Sequence, residues 1–351
     1  MEAITQEQVR GVLQSAIQAP SADNHHPVRF QLDDSHILVH HTRTAWEQPG
    51  YQRVLDLLSL GALAENLAIA ASRYGVKADM TLFPDPEQPG LALSVDLQPD
   101  VTQADPLWHE IPKRHTSRQF RFRGPPFDVT ERAQLDAITY AHPSCTLHWL
   151  DTAADRKPVL ALMRRAETER FHNRVLHEEL FSAIRFDVGW RDTSETGLPP
   201  GALGVELPLR GLFATLRHWS VMRMANRFGA HHFLGLRSCD LPCRLAPNLG
   251  VLTVKKTDTT SVFEAGRAFQ RIWLTTTHLG RVLQPMPASA LYALDGTDAA
   301  GIPKALQQDL AEGWKIRFGS LVPVMLFRTG KAQPSRVTAG RPAIESFLEK
   351  S

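Results

Sequence analysis

Cysteine is scarce in this chain. Among 351 residues there are three, Cys145, Cys239 and Cys243. That is too few for a disulfide framework, and Cys239 and Cys243 lack a second ligand pair at zinc spacing. They read as reduced structural thiols. Net charge is also small, 39 Lys and Arg against 37 Asp and Glu for +2, which argues against a nucleic-acid binder. No run of about 18 apolar residues is available to span a membrane. Met1-Glu2-Ala3-Ile4 leads into polar Thr5-Gln6-Glu7-Gln8, without the apolar core of a signal peptide. The expectation is a cytoplasmic protein with no nucleic-acid partner and no membrane partner. No Ser-His-Asp arrangement or metal cluster has usable spacing, and the 15 histidines, His231-His232 among them, read as surface or core residues.

What is present is 43% hydrophobic and 22% charged, the balance of a globular chain with ample core. The length suits two domains or one large unit. The densest chemistry is Lys113-Arg114-His115-Thr116-Ser117-Arg118-Gln119-Phe120. It sets three cations, a histidine and two hydroxyls before a Gly124-Pro125-Pro126 break. Arginine stays charged at any working pH and its planar fork of donors matches phosphate oxygens. A second polar stretch, Ala19-Pro20-Ser21-Ala22-Asp23-Asn24-His25-His26-Pro27, supplies a hydroxyl, an amide, an acid and two imidazoles. Its spacing suits an ordinary capped turn as well as a ligand-binding loop.

Apolar periodicity predicts helices over residues 7–18, 51–74, 130–140, 156–184, 209–228 and 261–279, with a last one opening at Arg341-Pro342. Strands are expected over 28–32, 36–40, 78–83, 91–97, 146–150, 249–254 and 321–328. Residues 189–208, rich in Pro and Gly, read as a long loop. The 209–228 helix carries Arg210, Arg217, Arg223 and Arg227 among apolar residues. A basic amphipathic helix can lie on membranes, but a packed helix or a lid over a pocket is more economical.

The helices over 51–74 and 261–279 resemble each other. Gly61 and Gly75 lie fourteen apart, as do Gly266 and Gly280. The two sequences between run in parallel, which suggests two copies of one α+β unit with their central helices packed together. The first copy, residues 1–103, has the Pro-Ser-x-x-Asn loop but no Arg-x-Thr-x-Arg stretch. The second, residues 104–351, has the arginines but only Ala141-His142-Pro143-Ser144-Cys145 where the loop should stand. One complete site is expected at the seam between the copies, and its mirror image should be defective.

These motifs resemble the FMN-dependent nitroreductase superfamily, and the tandem Acg-like subgroup in particular. Arg114-His115-Thr116-Ser117-Arg118-x-Phe120 is similar to that family's Arg-Arg-Ser-x-Arg-x-Phe. Ala19-Pro20-Ser21-x-x-Asn24-x-His26-Pro27-x-x-Phe30 is similar to its Ala-Pro-Ser-x-x-Asn-x-Gln-Pro-Trp-x-Phe. Residues 258–280 resemble its central helix, and Arg341-Pro342 its C-terminal Arg-x-Pro. The family's Gln is His26 here and its Trp is Val28, two departures at the flavin ring that put the usual nitroaromatic or quinone substrate in question. The resemblance implies a nitroreductase-like α+β fold folded as an intramolecular pseudo-dimer, monomeric or a weak homodimer. It also implies FMN, with the phosphate held by Arg114, Thr116, Arg341 and Arg336, beside His115. Arg118 would face the pyrimidine edge, where its charge favours anionic reduced flavin, and Pro20, Ser21, Asn24 and His26 would reach from the other copy. Hydride would arrive at and leave flavin N5, so no catalytic side chain is required. NAD(P)H is the implied transient donor and a small molecule the acceptor. Two other readings stand beside this: a flavin-sequestering protein closed by residues 189–228, and a narrow-substrate oxidase or dehydrogenase of a biosynthetic pathway.

Overall fold

Thr5 and Gln8 cap each other's backbone N–H groups and start the first helix, α1 (Gln6–Ala16). In this computed structural model, which describes residues 4–101 and 103–349, α1 is followed by a hairpin, β1 (Val28–Asp33) and β2 (His36–His41). Then come a 22-residue helix, α2 (Tyr51–Ser72), and two further strands, β3 (Val76–Leu82) and β4 (Leu91–Pro99). All pairings are antiparallel and the strand order is β1-β2-β4-β3.

The same pattern then repeats around two insertions. Helix α3 (Val129–Tyr140), capped by a reciprocal Asp128–Glu131 box, leads to β5 (Cys145–Trp149). A helical excursion follows: α4 (Ala153–His172), α5 (Arg174–Ser182), α6 (Arg210–Leu216), α7 (Trp219–Asn226), α8 (Ala230–Gly235) and α9 (Leu241–Arg244). The sheet resumes at β6 (Asn248–Val254), every residue of which is buried, followed by α10 (Thr259–His278) and β7 (Val282–Pro285). Helices α11 (Ala288–Leu291) and α12 (Lys304–Phe318) form the second insertion before β8 (Val322–Gly330). The order is β5-β6-β8-β7. Both sheets therefore have one topology, and each carries a register shift at the matching place, Val39/His40 and Leu252/Thr253. This is the tandem α+β architecture expected from the glycine spacing.

Helices α2 and α10 pack against each other where Gly61 meets Gly266. A Cβ on Gly61 would stand 2.1 Å from the Phe263 carbonyl oxygen, and one on Gly266 would stand 2.4 Å from that of Leu58. Only glycine permits this approach. Gly75 and Gly280 lie just past the two helix ends in left-handed conformations, φ 65° and 67°. By length and apolarity α2 could cross a membrane, but 78% of its most apolar window is buried inside the fold.

Three expected elements differ. The 156–184 helix begins at Ala153 and breaks at Asn173, whose side chain caps the Val175 N–H. The 209–228 helix divides into α6 and α7, because the backbone turns out of helical geometry at His218. At the C-terminus the expected helix is only a turn, Ile344–Ser346. There the chain crosses to the first sheet: the Phe30 N–H donates to Phe347 O at 2.8 Å, and the Glu349 N–H to Phe30 O at 2.9 Å.

Candidate functional site

Helix α1 runs out at Ile17, Gln18 and Ala19, whose carbonyls are left at the negative end of the helix and attract cations. Two arginines answer them. Arg341 donates to the Ile17 carbonyl at 2.8 Å and the Ala19 carbonyl at 2.9 Å, and to the Asn24 side-chain oxygen at 2.5 Å. Arg114 donates to the Gln18 carbonyl at 2.9 Å and lies 4.5 Å over the Trp273 ring of α10. Neither arginine has a carboxylate partner among the described residues. Arg114 is 8% exposed and its Nε has no hydrogen-bond partner. Burial, and then the nearby Arg341, lower Arg114 to about 9; burial lowers Arg341 to about 10. Both stay charged at neutral pH, so the fold holds two cations at the cavity wall with no carboxylate paired to either among the described residues.

The Pro20–Pro27 loop is strained and locked. Asp23, Asn24 and His26 all have positive φ, 48°, 62° and 51°, values that non-glycine residues adopt only when their surroundings enforce them. Here the Asn24 amide donates to Glu195 O at 3.1 Å and Gly340 O at 3.3 Å, while the Gly197 N–H donates to Asn24 O at 3.2 Å. The loop is thereby fastened to the insertion and to the C-terminal tail. Ser21 Oγ accepts from the His26 N–H at 3.3 Å. The His26 ring turns inward, edge-on to Phe347 at 5.8 Å, and borders a hollow of about 20 Å³. Burial, reinforced by Arg341, lowers it to about 3, so it is neutral.

Between these groups and the insertion lies a cavity of about 1010 Å³, at the upper end of small-molecule sites. Eight of the ten residues singled out from the sequence line it: Pro20, Ser21, Asn24, Arg114, His115, Thr116, Arg118 and Arg341. His26 and the exposed Arg336 do not. The arginine stretch is held by strand-like contacts, a parallel bridge from Thr116 to Leu283 and a 3.1 Å hydrogen bond from the Ser117 N–H to Leu283 O. Arg118 is lowered by burial, partly offset by Asp23. Leu55, Leu58, Ser59 and Ala62 of α2 and Phe269 and Trp273 of α10 form the walls, while Leu203, Leu209, Leu212, Phe213 and Phe233 of the insertion form an apolar roof.

Several cavity residues carried no recognisable signal in the sequence. Trp273 reads as core in a helical pattern, yet it supports Arg114. Arg328 sits mid-strand, 1% exposed, and donates to Gln284 at 2.8 Å and to the carbonyls of Phe120, at 3.1 Å, and Gln119, at 2.5 Å. It fixes the path of the chain just after Arg118. Tyr51 donates to Glu179 at 2.6 Å, and Tyr292, 4% exposed, lines the cavity with no hydrogen-bond partner among the described residues. These residues come from α2, α5, α10, β8 and the α11 end, and no local motif joins them.

The opposite seam carries ion pairs in place of the open site's small and apolar residues. Aligning Gly61 with Gly266 matches cavity-lining Ser59 and Ala62 with Glu264 and Arg267. Glu264 binds His142 at 2.5 Å, and His142 belongs to the loop that stands where the second copy lacks its Pro-Ser-x-x-Asn motif. Arg267 and Arg271 donate to Glu65, at 3.1 and 2.5 Å, and Arg271 also to Asp105 at 2.7 Å. Glu65 is 1% exposed. Paired charge thus stands at α10 positions that correspond to cavity-lining positions of α2.

No protein-family model matches the chain. Over 208 residues it is 27% identical to a Mycobacterium tuberculosis protein, from strains CDC 1551 and H37Rv, provisionally named NAD(P)H nitroreductase Acg. The match covers 57% of this chain and 59% of the relative, so it spans about three fifths of that protein. Remote structural likenesses include the FMN-dependent nitroreductase NfnB of Mycobacterium smegmatis in complex with NADPH, at 14% identity, 69% of this chain, 96% of that chain and a TM-score of 0.39. A nitroreductase with bound FMN from Desulfitobacterium hafniense, at 14% identity, covers 70% of this chain and 99% of its own, with a TM-score of 0.36.

Proposed function

We propose, on the premise that this chain is of the nitroreductase superfamily, as its similarity to Acg supports, that it binds FMN in the open seam and acts as an oxidoreductase. The observation that carries this reading is Arg114, a buried cation with an unpartnered Nε and no carboxylate partner among the described residues, lining a cavity walled in part by α2 and α10. Such a group is stabilised by a ligand anion. The phosphate would meet the free donors of Arg114 and the Thr116 hydroxyl, with His115 at the margin. Arg341 already donates to the α1 carbonyls and Asn24, so it would contribute charge and hold the loop rather than grip the phosphate. Pro20 and Ser21 would border the nucleotide from the first copy, and Arg118 would place fixed positive charge beside it.

FMN, when bound, supplies two-electron hydride chemistry between a nicotinamide or organic donor and a small acceptor. The chain's own part is to orient the nucleotide, to set the charge around it and to exclude water. An apolar roof over the polar end favours a second reading, a flavin-holding protein or a narrow-substrate oxidase without free NAD(P)H turnover. One experiment separates them: reconstitute with FMN, remove oxygen, and add NADH or NADPH. Bleaching followed by reoxidation with a nitroarene or quinone supports the oxidoreductase. Bound flavin that resists both donors supports the second reading. Protein that takes up no flavin overturns both.

A further inference from the structure

The outer face of the roof carries an arrangement that the cavity does not explain. From residue 207 to 239 there is no acidic residue, while Arg210, Arg217, Arg223, Arg227 and Arg237 all fall there. Within the same stretch lie seven of the fourteen exposed large apolar side chains among the described residues. Scattered exposed apolar residues are ordinary, but a concentrated patch marks an interaction surface.

Its geometry is that of an interfacial helix. Val221, Met224 and Phe228 follow i, i+3, i+7 spacing along α7 and its end, and Met224 and Phe228 are 63% and 89% exposed. The opposite side of α7 is anchored: Met222 is fully buried in a satellite core with Phe171, Phe181 and Leu216. Arg223 and Arg227 flank the stripe, exposed, and their side chains make no ion pair or hydrogen bond among the described residues. Leu212 and Phe233 are each about three-fifths exposed, at 60% and 62%, and both also line the cavity. These two side chains therefore reach both the outer surface and the cavity.

We propose that this face docks on an anionic lipid bilayer, with Val221, Met224 and Phe228 entering the headgroup region, Arg223 and Arg227 meeting lipid phosphates, and the cavity mouth at Leu212 and Phe233 turned toward the lipid. Unpaired cations beside an apolar stripe are complementary to an anionic interface and not to a second copy of the same basic patch. The sequence favours a packed helix or a lid over a membrane-lying helix for residues 209–228; α7 is packed on its Met222 side and bare on the Met224 and Phe228 side, which leaves a face for the bilayer. The inference stands on the roof alone and is independent of what the cavity binds.

The test is co-sedimentation of the full-length protein with phosphatidylcholine vesicles, with and without phosphatidylglycerol. Wild type is expected to pellet with the anionic vesicles, to be released by added salt, and to stay in solution with neutral ones. R223E/R227E and M224D/F228D should each lower partitioning at least about tenfold with unchanged melting temperature, since all four side chains are exposed. If one pair proved unfolded, the other would still decide. Absence of binding to anionic vesicles, equal binding to neutral ones, or indifference to both variant pairs overturns the proposal. So does self-association seen by light scattering that M224D/F228D abolishes while no vesicle binding is found.

Discussion

At the scale of single residues the site is an electrostatic problem left half solved. Arg114 and Arg341 share the carbonyl end of α1, but only Arg341 has most of its donors engaged by protein acceptors. Their substitutions should therefore differ. Arg114→Ala removes a charge-assisted contact and is expected to weaken FMN by about 1.5–3 kcal/mol, read by flavin fluorescence titration, with little change in stability. Arg341→Ala should weaken FMN and also lower the melting temperature, because the Asn24 loop and the C-terminal tail lose their common anchor. Arg341→Lys should not restore either, since one ammonium cannot reach carbonyls spread over a fork. His26 gives a pH signature. Its folded value, about 3, lies below the ordinary 6.5, so the unfolded chain takes up a proton first and stability falls as pH drops from about 6.5 toward 3. Near pH 5 the histidine contributes a loss of about 1–2 kcal/mol. His26→Gln is expected to flatten denaturant-derived stability over that window, and an unchanged slope would assign the acid sensitivity to other buried histidines such as His41.

At the scale of elements the decisive contact is the glycine crossing of α2 and α10. Gly61→Ala drives a methyl into the Phe263 carbonyl, backbone that cannot swing aside, and should destabilise by about 1–3 kcal/mol or more, seen in the melting temperature, with flavin affinity falling as the walls separate. The paired charges across the opposite seam predict a different pattern. Glu65→Ala removes the buried carboxylate that Arg267 and Arg271 share, while Glu264 and Asp105 still pair with them, and should cost about 1.5–3 kcal/mol while leaving flavin affinity of the folded protein intact. These two helices were legible in the sequence because apolar breadth, small residues and terminal glycines agree at every level. Less was legible where tertiary contacts choose the break points. The 209–228 pattern is periodic throughout, yet it divides at His218. α12 lies in a stretch for which the sequence had suggested no helix, and four-residue β7 is too short for periodicity to register.

Across the whole molecule, two copies of one unit share a single core and have diverged at their seams. Much of this could be read beforehand, since Pro20, Ser21, Arg114, Thr116 and Arg341 lie in three separate stretches and all line one cavity. The remainder could not. Arg328, Tyr292 and the roof meet the site only through the folded insertion, and the asymmetry is visible in sequence as missing motifs but not as the Glu65–Arg267–Arg271 network that replaces them. One seam open and the other carrying paired charge is the central claim. The most direct test is the number of FMN molecules bound per chain, from flavin absorbance against protein concentration after saturation and desalting. One per chain is predicted; two per chain, or none under conditions where the protein is folded, would contradict it.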